Sequence, residues 1–295
     1  GEAQICVAGG VESMSRSPFV VGKAEQAFSK DFKVFDSSLG ARFPNPKIES
    51  LYGADTMAQT SDNLARDYQI TREDCDVFAL GSQQKYATAA KDGFFQSEIR
   101  PVTIPQGRGR PDVTVSEDEH PRPESNIDSL ARLKAIYPEG VTTAGNASGI
   151  NDGAAALVIA SREAGEKAGV QPIARIVASG VAGVPPRIMG FGPVPASNKA
   201  LERAGLTLKD MDVIEINEAF AAQVLACLKG FGLAADDDRV NPNGGAIAVG
   251  HPLGASGARL ALTAARQLHR SGGRYALATM CIGVGQGIAV VLERM

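Results

Sequence analysis

Tryptophan is missing from this 295-residue sequence, and aromatic residues make up only 5% of it. With 33 glycines as well, the chain must build its core from aliphatic side chains and turn often, which suits an α/β protein. Cysteine is sparse and scattered: Cys6, Cys75, Cys227 and Cys281 form no CxxC pair and no His/Cys spacing of a zinc site. No metal is therefore expected. Charge of neither sign dominates. The net charge is −3 and the pI about 5.7, so the basic footprint of a nucleic-acid binder is lacking. The longest apolar run, "AAALVIA" (Ala154 to Ala160), falls far short of the ~20 residues of a membrane span. No basic start followed by an apolar stretch marks a signal peptide. Reduced thiols and a cytoplasmic location are the expectation, with no membrane and no nucleic acid as partner.

The length suggests two compact units. Ala3 to Ala8 reads as a buried strand that needs neighbours on both sides. From Val11 to about Gly140 the texture changes: prolines and turn clusters such as "RFPNP" and "EDEHPRPES" interrupt the chain. Two helices are expected there, "SDNLARDYQ" and "TREDCDVFALGSQQKYATAAKDG". The second has Thr71 as N-cap, Asp74 three residues on and no clean apolar stripe. Beyond Gly145, strands and helices alternate. "DGAAALVIA", "ARIVASGVAG", "DVIEIN", "RYALATM" and "GQGIAVVLE" read as strands, the first of them buried. The intervening helices start at Ser161 and Ser197, end at Gly230, or cover "SGARLALTAARQLHRSGG". That alternation predicts a parallel or mixed sheet covered on both faces, with the last two strands antiparallel.

Three stretches place a polar or reactive side chain at a strand end among small residues. "EINEAF" carries Asn217 and Glu218, "GHPLGASG" carries His251, and "MCIGVGQG" carries Cys281 with Gly283 in the turn. Ligands collect at the carboxyl ends of strands in such sheets. Cysteine with histidine is a pairing for thiolate chemistry or proton shuttling, and amides in a glycine turn receive an oxyanion. The segment 241–258, "NPNGGAIAVGHPLGASGA", sets five glycines and four alanines around His251. Its smallness is read as room for a thin ligand. Plainer roles are open to several residues: Asn217 as a helix cap, Glu218 as an anchor, Cys227 as core, and His120 and His269 as surface residues.

"NEAFAAQ", "NPNGGAIAVGHPLGASGAR", "CIGVGQG", "VTTAGNASGINDGAAA" and "AGGVESMS" resemble the hallmark sequences of the thiolase family, from Gly1 to Met295. Through "RFPNPKIESLYGADTM", "PVTIPQ" and "DEHPRPES" the chain looks most like the bacterial 3-oxoadipyl-CoA branch. The resemblance implies a five-layered α/β/α/β/α fold with an inserted loop domain, its N-terminal half incomplete. It divides the chain into 1–12 with 150–171 from the N-terminal domain, 13–149 as the CoA-binding insertion, and 172–295 as the C-terminal domain.

The implied reaction is reversible Claisen thiolysis of a 3-oxoacyl-CoA with CoA, giving acetyl-CoA and a shortened acyl-CoA. Coenzyme A is substrate rather than cofactor, and the complete protein is expected as a homodimer or homotetramer. In that scheme His251 activates the acyl-carrying cysteine, Cys281 moves protons, Asn217 holds a water in one oxyanion hole, and the Gly283 amide serves the other. CoA contacts carry over to Met57, Arg122, Ser129, Ala144, Ser148, Ala219 and Phe220. Thr56 stands where some members have histidine. The nucleophile belongs to a CxSG-type segment upstream of "GEAQICVAGG". No such segment is among these residues, and Cys6, mid-strand, does not substitute. The alternative implied is an inactive acyl-CoA-binding remnant or a non-catalytic subunit, with no thiolysis by the chain alone.

Overall fold

The computed structural model describes residues 2–38, 40 and 42–295. The chain enters as strand β1 (Ile5–Glu12) and crosses two small hairpin strands, β2 (Phe19–Val21) and β3 (Val34–Asp36). Helices α1 (Pro46–Tyr52), α2 (Met57–Asp67) and α3 (Arg72–Lys91) follow. A second hairpin, β4 (Val102–Ile104) with β5 (Val113–Val115), and the short helix α4 (Ile127–Ala131) complete this region. Strand β6 (Gly153–Ala160) returns to pair antiparallel with β1, and helix α5 (Arg162–Lys167) leads away.

The rest is a second unit: β7 (Ala174–Gly183), α6 (Pro193–Ala204), β8 (Val213–Ile216), α7 (Ala221–Phe231), α8 (Ala246–Val249), α9 (Leu253–Ser271), β9 (Tyr275–Ile282) and β10 (Gln286–Arg294). Its strands lie in the order β7-β10-β9-β8. β8 runs parallel to β9, while β10 is antiparallel to both its neighbours, so the sheet is mixed, as the alternation predicts.

Side chains alternate across this sheet. Ile214, Ile216, Leu277, Ala289 and Val291 face α6, α7 and α2 in one apolar cluster. Val213, Ala276, Ala278 and Leu292 face Leu260, Ala264 and Leu268 of α9 in another. The opposite side of α9 carries the β1–β6 pair, so the layers run helix, sheet, helix, sheet. Contact with β1 is close: a side chain at Gly10 would strike the Gly254 backbone, and the Gly254 amide donates to Glu12 Oε2 at 3.1 Å.

Several local expectations are corrected. β1 and β6 are not buried strands. Val7 and Val158, opposite each other in the register, are 75% and 71% exposed, because only the α9 side of the pair is covered. Helix α2 starts earlier than expected, at a Thr56 capping box. Ser197 caps nothing; α6 begins one turn sooner at Pro193, leaving Ser197 buried inside the helix. α7 passes through Gly230, which packs against Phe191, and stops at the left-handed Gly232.

The open face of β1–β6 has a consequence in solution. A chain of these 295 residues is expected to self-associate, and Val7→Lys with Val158→Lys to reduce this, as read by light scattering. A monodisperse, unmutated monomer contradicts it.

Candidate active site

β8 delivers its last residues to the site along an unusual edge. Its ladder to β9 continues one step past the strand, the Asn217 amide donating to the Thr279 carbonyl at 3.0 Å. On the other edge Asn241 stands in for a strand. Its Oδ1 accepts the Ile216 amide at 2.8 Å, and its Nδ2 donates to the Ile216 carbonyl at 2.9 Å. Asn241 holds a left-handed backbone (φ 42°), a conformation asparagine tolerates better than most residues.

Glu218 anchors the loop. Its fully buried carboxylate accepts from Ser82 Oγ at 2.6 Å, Asn241 Nδ2 at 2.8 Å and the Ile247 amide at 3.1 Å. Burial raises its pKa, opposed by those three bonds. Through these three bonds it ties α3, the 241–247 loop and β8 together. Gly245 is small because a side chain there would run into this carboxylate. Gly250 (φ 92°) likewise leaves room for Asn151, whose Oδ1 accepts the His251 amide at 3.3 Å. The expectation that these glycines clear space for a ligand is therefore corrected: at both positions the protein itself fills it.

His251 is mostly buried just before α9. Its Nδ1 lies 2.6 Å from Ser256 Oγ, whose hydroxyl donates to the Pro252 carbonyl at 2.8 Å. Ser256 thus accepts, the proton sits on Nδ1, and the Nε2 lone pair accepts from Asn217 Nδ2 at 3.2 Å. Burial, helped by the positive charge of Arg259, lowers the His251 pKa to about 4, so the ring is neutral at physiological pH. Asn217 is no helix cap: α7 begins four residues later, and the Oδ1 of Asn217, although buried, has no partner among the described residues.

Cys281 is the next-to-last residue of β9 and packs with Met189, Ala219 and Phe220. Burial pushes its pKa up to about 12, so it rests as a thiol. Gly283 opens the three-residue turn to β10, which Val184 clasps by donating to the Gly285 carbonyl at 2.8 Å. The other cysteines lie elsewhere. Cys6 is exposed on β1, Cys75 is buried on α3, and Cys227 is core, its thiol directed at the Gly190 carbonyl.

The residues assigned to CoA are spread over several elements, and only some of them meet. Ser148, Ala219 and Phe220 meet directly: the Ser148 amide donates to the Ala219 carbonyl at 3.0 Å, and Ala147 bridges Phe220. Ala144 is exposed on the same 144–148 loop, which Asn146 fastens to Asp76 of α3 at 2.9 Å. Met57 heads α2, beside Thr56, whose hydroxyl donates to Tyr137 Oη at 2.9 Å. Ser129 is half-buried in the first turn of α4, which Arg72 of α3 holds through the Leu130 and Leu133 carbonyls. Arg122 is exposed, with Nη1 donating to the carbonyls of Glu119, His120 and Pro121 at 2.7–2.9 Å. His120 is not a plain surface residue, since it is half-buried against Gly149. His269 stays exposed at the end of α9. Among the described residues no cluster of three or more His, Cys, Asp or Glu is placed to hold a metal, and no helix is long and apolar enough to cross a membrane.

Residues 1–163 match the family description "Thiolase, N-terminal domain" and 170–294 match "Thiolase, C-terminal domain". The chain belongs to the thiolase family. Thiolases are acyltransferases, and this thiolase is 59% identical to "Beta-ketoadipyl-CoA thiolase" of Acinetobacter baylyi, over all of this chain and 74% of that protein. It is 57% identical to "3-oxoadipyl-CoA/3-oxo-5,6-dehydrosuberyl-CoA thiolase" of Escherichia coli, again over all of this chain and 74% of the relative. The crystal structure of human mitochondrial 3-ketoacyl-CoA thiolase in complex with CoA superposes with a TM-score of 0.90 at 42% identity, over all of this chain and 72% of that one. The thiolase fold is the architecture of this chain, in the layer order helix, sheet, helix, sheet.

Sequence reasoning missed Ser82, Asn151, Asn241 and Ser256. Each is an unremarkable polar residue outside the three motifs or tucked within one, and only the fold brings it to the site. Ser256→Ala is expected to leave folding intact and lower turnover by about ten- to a hundred-fold by releasing the His251 tautomer; unchanged kcat removes Ser256 from the site. Because the pKa of folded His251 lies below that of the unfolded chain, its contribution to stability is lost as pH falls from 6.5 towards 4. The stability advantage of wild type over His251→Asn should shrink by about 2 kcal/mol between pH 7 and pH 5 in urea unfolding.

Proposed function

We propose that the protein cleaves 3-oxoadipyl-CoA, a 3-oxoacyl-CoA carrying a second carboxylate, with CoA to acetyl-CoA and a shortened acyl-CoA, and runs the reverse condensation. The observation that carries the site is the Asn217–His251 contact at 3.2 Å, joined through Ala219 to the Ser148 loop on one side and to Cys281 on the other. The substrate rests on the names of the Acinetobacter and Escherichia relatives. The CoA-bound human neighbour supports a CoA site on this fold, made here by Met57, Arg122, Ser129, Ala144, Ser148, Ala219 and Phe220.

Each residue has one task. An acyl-carrying cysteine, which is none of Cys6, Cys75 or Cys227, attacks the 3-oxo carbon of the substrate. The C2–C3 bond then breaks and its electrons pass to the acetyl-CoA enolate. Cys281, resting protonated, gives its proton to C2 of that enolate. The resulting thiolate takes the proton of incoming CoA, whose sulfur then attacks the enzyme-bound thioester. His251 is neutral, and its Nε2, on release from Asn217 Nδ2, accepts the nucleophile's proton and returns it when that cysteine leaves on CoA attack. The buried Oδ1 of Asn217, without a partner among the described residues, is an acceptor suited to fixing a water against the thioester oxygen. The Gly283 amide offers a second oxyanion donor.

The inactive-remnant alternative has no support, since the relatives named above are themselves thiolases. Four free thiols fit a reducing cytoplasm, and the exposed apolar face of β1–β6 fits a homodimer or homotetramer.

Thiolysis by the protein expressed from its gene, followed by acetyl-CoA release, tests this reading. 3-Oxoadipyl-CoA should be preferred to acetoacetyl-CoA. Cys281→Ala and His251→Ala should each lower kcat at least about a hundred-fold with CoA binding retained. Equal use of both substrates refutes the substrate, and full activity of Cys281→Ala refutes the site.

A further inference from the structure

Gln83 lies on the buried side of α3 and spends both ends of its amide on two different loops. Its Oε1 accepts the Arg122 amide at 2.9 Å. Its Nε2 donates to the Ile247 carbonyl at 3.1 Å. Ile247 belongs to α8, four residues before His251, and its own amide is held by Glu218, the neighbour of Asn217. On the other side, Arg122 gathers the carbonyls of Glu119, His120 and Pro121 about its guanidinium, and His120 rests on Gly149 beside Ser148. One buried amide therefore joins the loop assigned to CoA with the loop that carries the histidine.

We propose that Gln83 is a positioning residue that couples seating of CoA to the placement of His251; this rests on the function proposed above. An amide suits this place because it supplies one donor and one acceptor from a single planar group to two backbone atoms of opposite kind. Neither loop has regular structure strong enough to hold its own register: α8 is a single turn, and 116–126 contains no helix or strand. A ligand that presses on the Arg122 loop thereby acts on the carbonyl of Ile247, and reciprocally.

The test uses two variants of the protein expressed from its gene. Gln83→Met removes both hydrogen bonds at similar volume. It should raise the KM for CoA and lower kcat, each by about ten-fold, with the CoA dissociation constant from calorimetry rising in step. Gln83→Glu keeps the acceptor for Arg122 and sets a carboxylate oxygen against the Ile247 carbonyl. It should lower kcat by about ten-fold while CoA affinity stays within about two-fold of wild type. If either variant loses only active fraction, with KM and kcat per folded site unchanged, Gln83 merely packs and the proposal falls. A Gln83→Glu that weakens CoA binding without lowering kcat also overturns it. If Gln83→Met does not fold, Gln83→Glu decides alone. A wild type that neither binds CoA nor turns over refutes the proposed function instead.

Discussion

The fully buried carboxylate of Glu218 is the fixed point from which the site is built. A carboxylate in an apolar interior is costly unless its oxygens are matched by donors. Here Ser82, Asn241 and the Ile247 amide supply them, and each comes from a different part of the chain. Satisfying one charge thus forces α3 of the first half, the 241–247 loop and the end of β8 into a single arrangement. Asn217 and His251 inherit their positions from it, Asn217 as the residue between β8 and Glu218 and His251 as the second residue after α8. Gly245 completes the constraint, since nothing larger fits beside the carboxylate.

The electrostatics of the site follow from the same burial. His251 rests uncharged and Cys281 rests protonated, because neither charged form is solvated and no close counter-ion favours one. Ser256 decides which imidazole nitrogen is available, and Asn217 decides what it faces. Arg259, on the next turn of α9, lies 3.6 Å from the buried Glu215 and adds a positive field that keeps the imidazole neutral.

Helix α3 unites the halves of the molecule. Its buried side presents Arg72 to α4, Asp76 to Asn146, Ser82 to Glu218 and Gly245, and Gln83 to Arg122 and Ile247. Lys85 adds a bond to the Val240 carbonyl. Such a helix looks weakly amphipathic in sequence, because the stripe Cys75, Asp76, Ala79, Ser82, Gln83, Tyr86 and Ala89 mixes apolar with polar side chains. In the fold that mixture is the point: the apolar members pack and the polar ones hold loops.

The sequence by itself determined the alternation of strands and helices, the mixed sheet with an antiparallel final pair, the Thr71 cap, and the short motifs in which Asn217, His251 and Cys281 stand. Periodicity and capping are local, so they survive without coordinates. Helix starts at proline were misjudged at Ser197, where a cap-forming residue lies inside a helix. Strand burial was misjudged at β1 and β6, because apolar composition does not say which face another layer covers. The meaning of the glycines around His251 was also hidden. Only the tertiary structure decided that Glu218 and Asn151 fill the room they leave, that Ser256 sets the imidazole proton, and that Gln83 spans two loops. Each is a contact between residues distant in the chain, and a hydrogen-bonding side chain carries no mark in sequence of the partner that folding will bring to it.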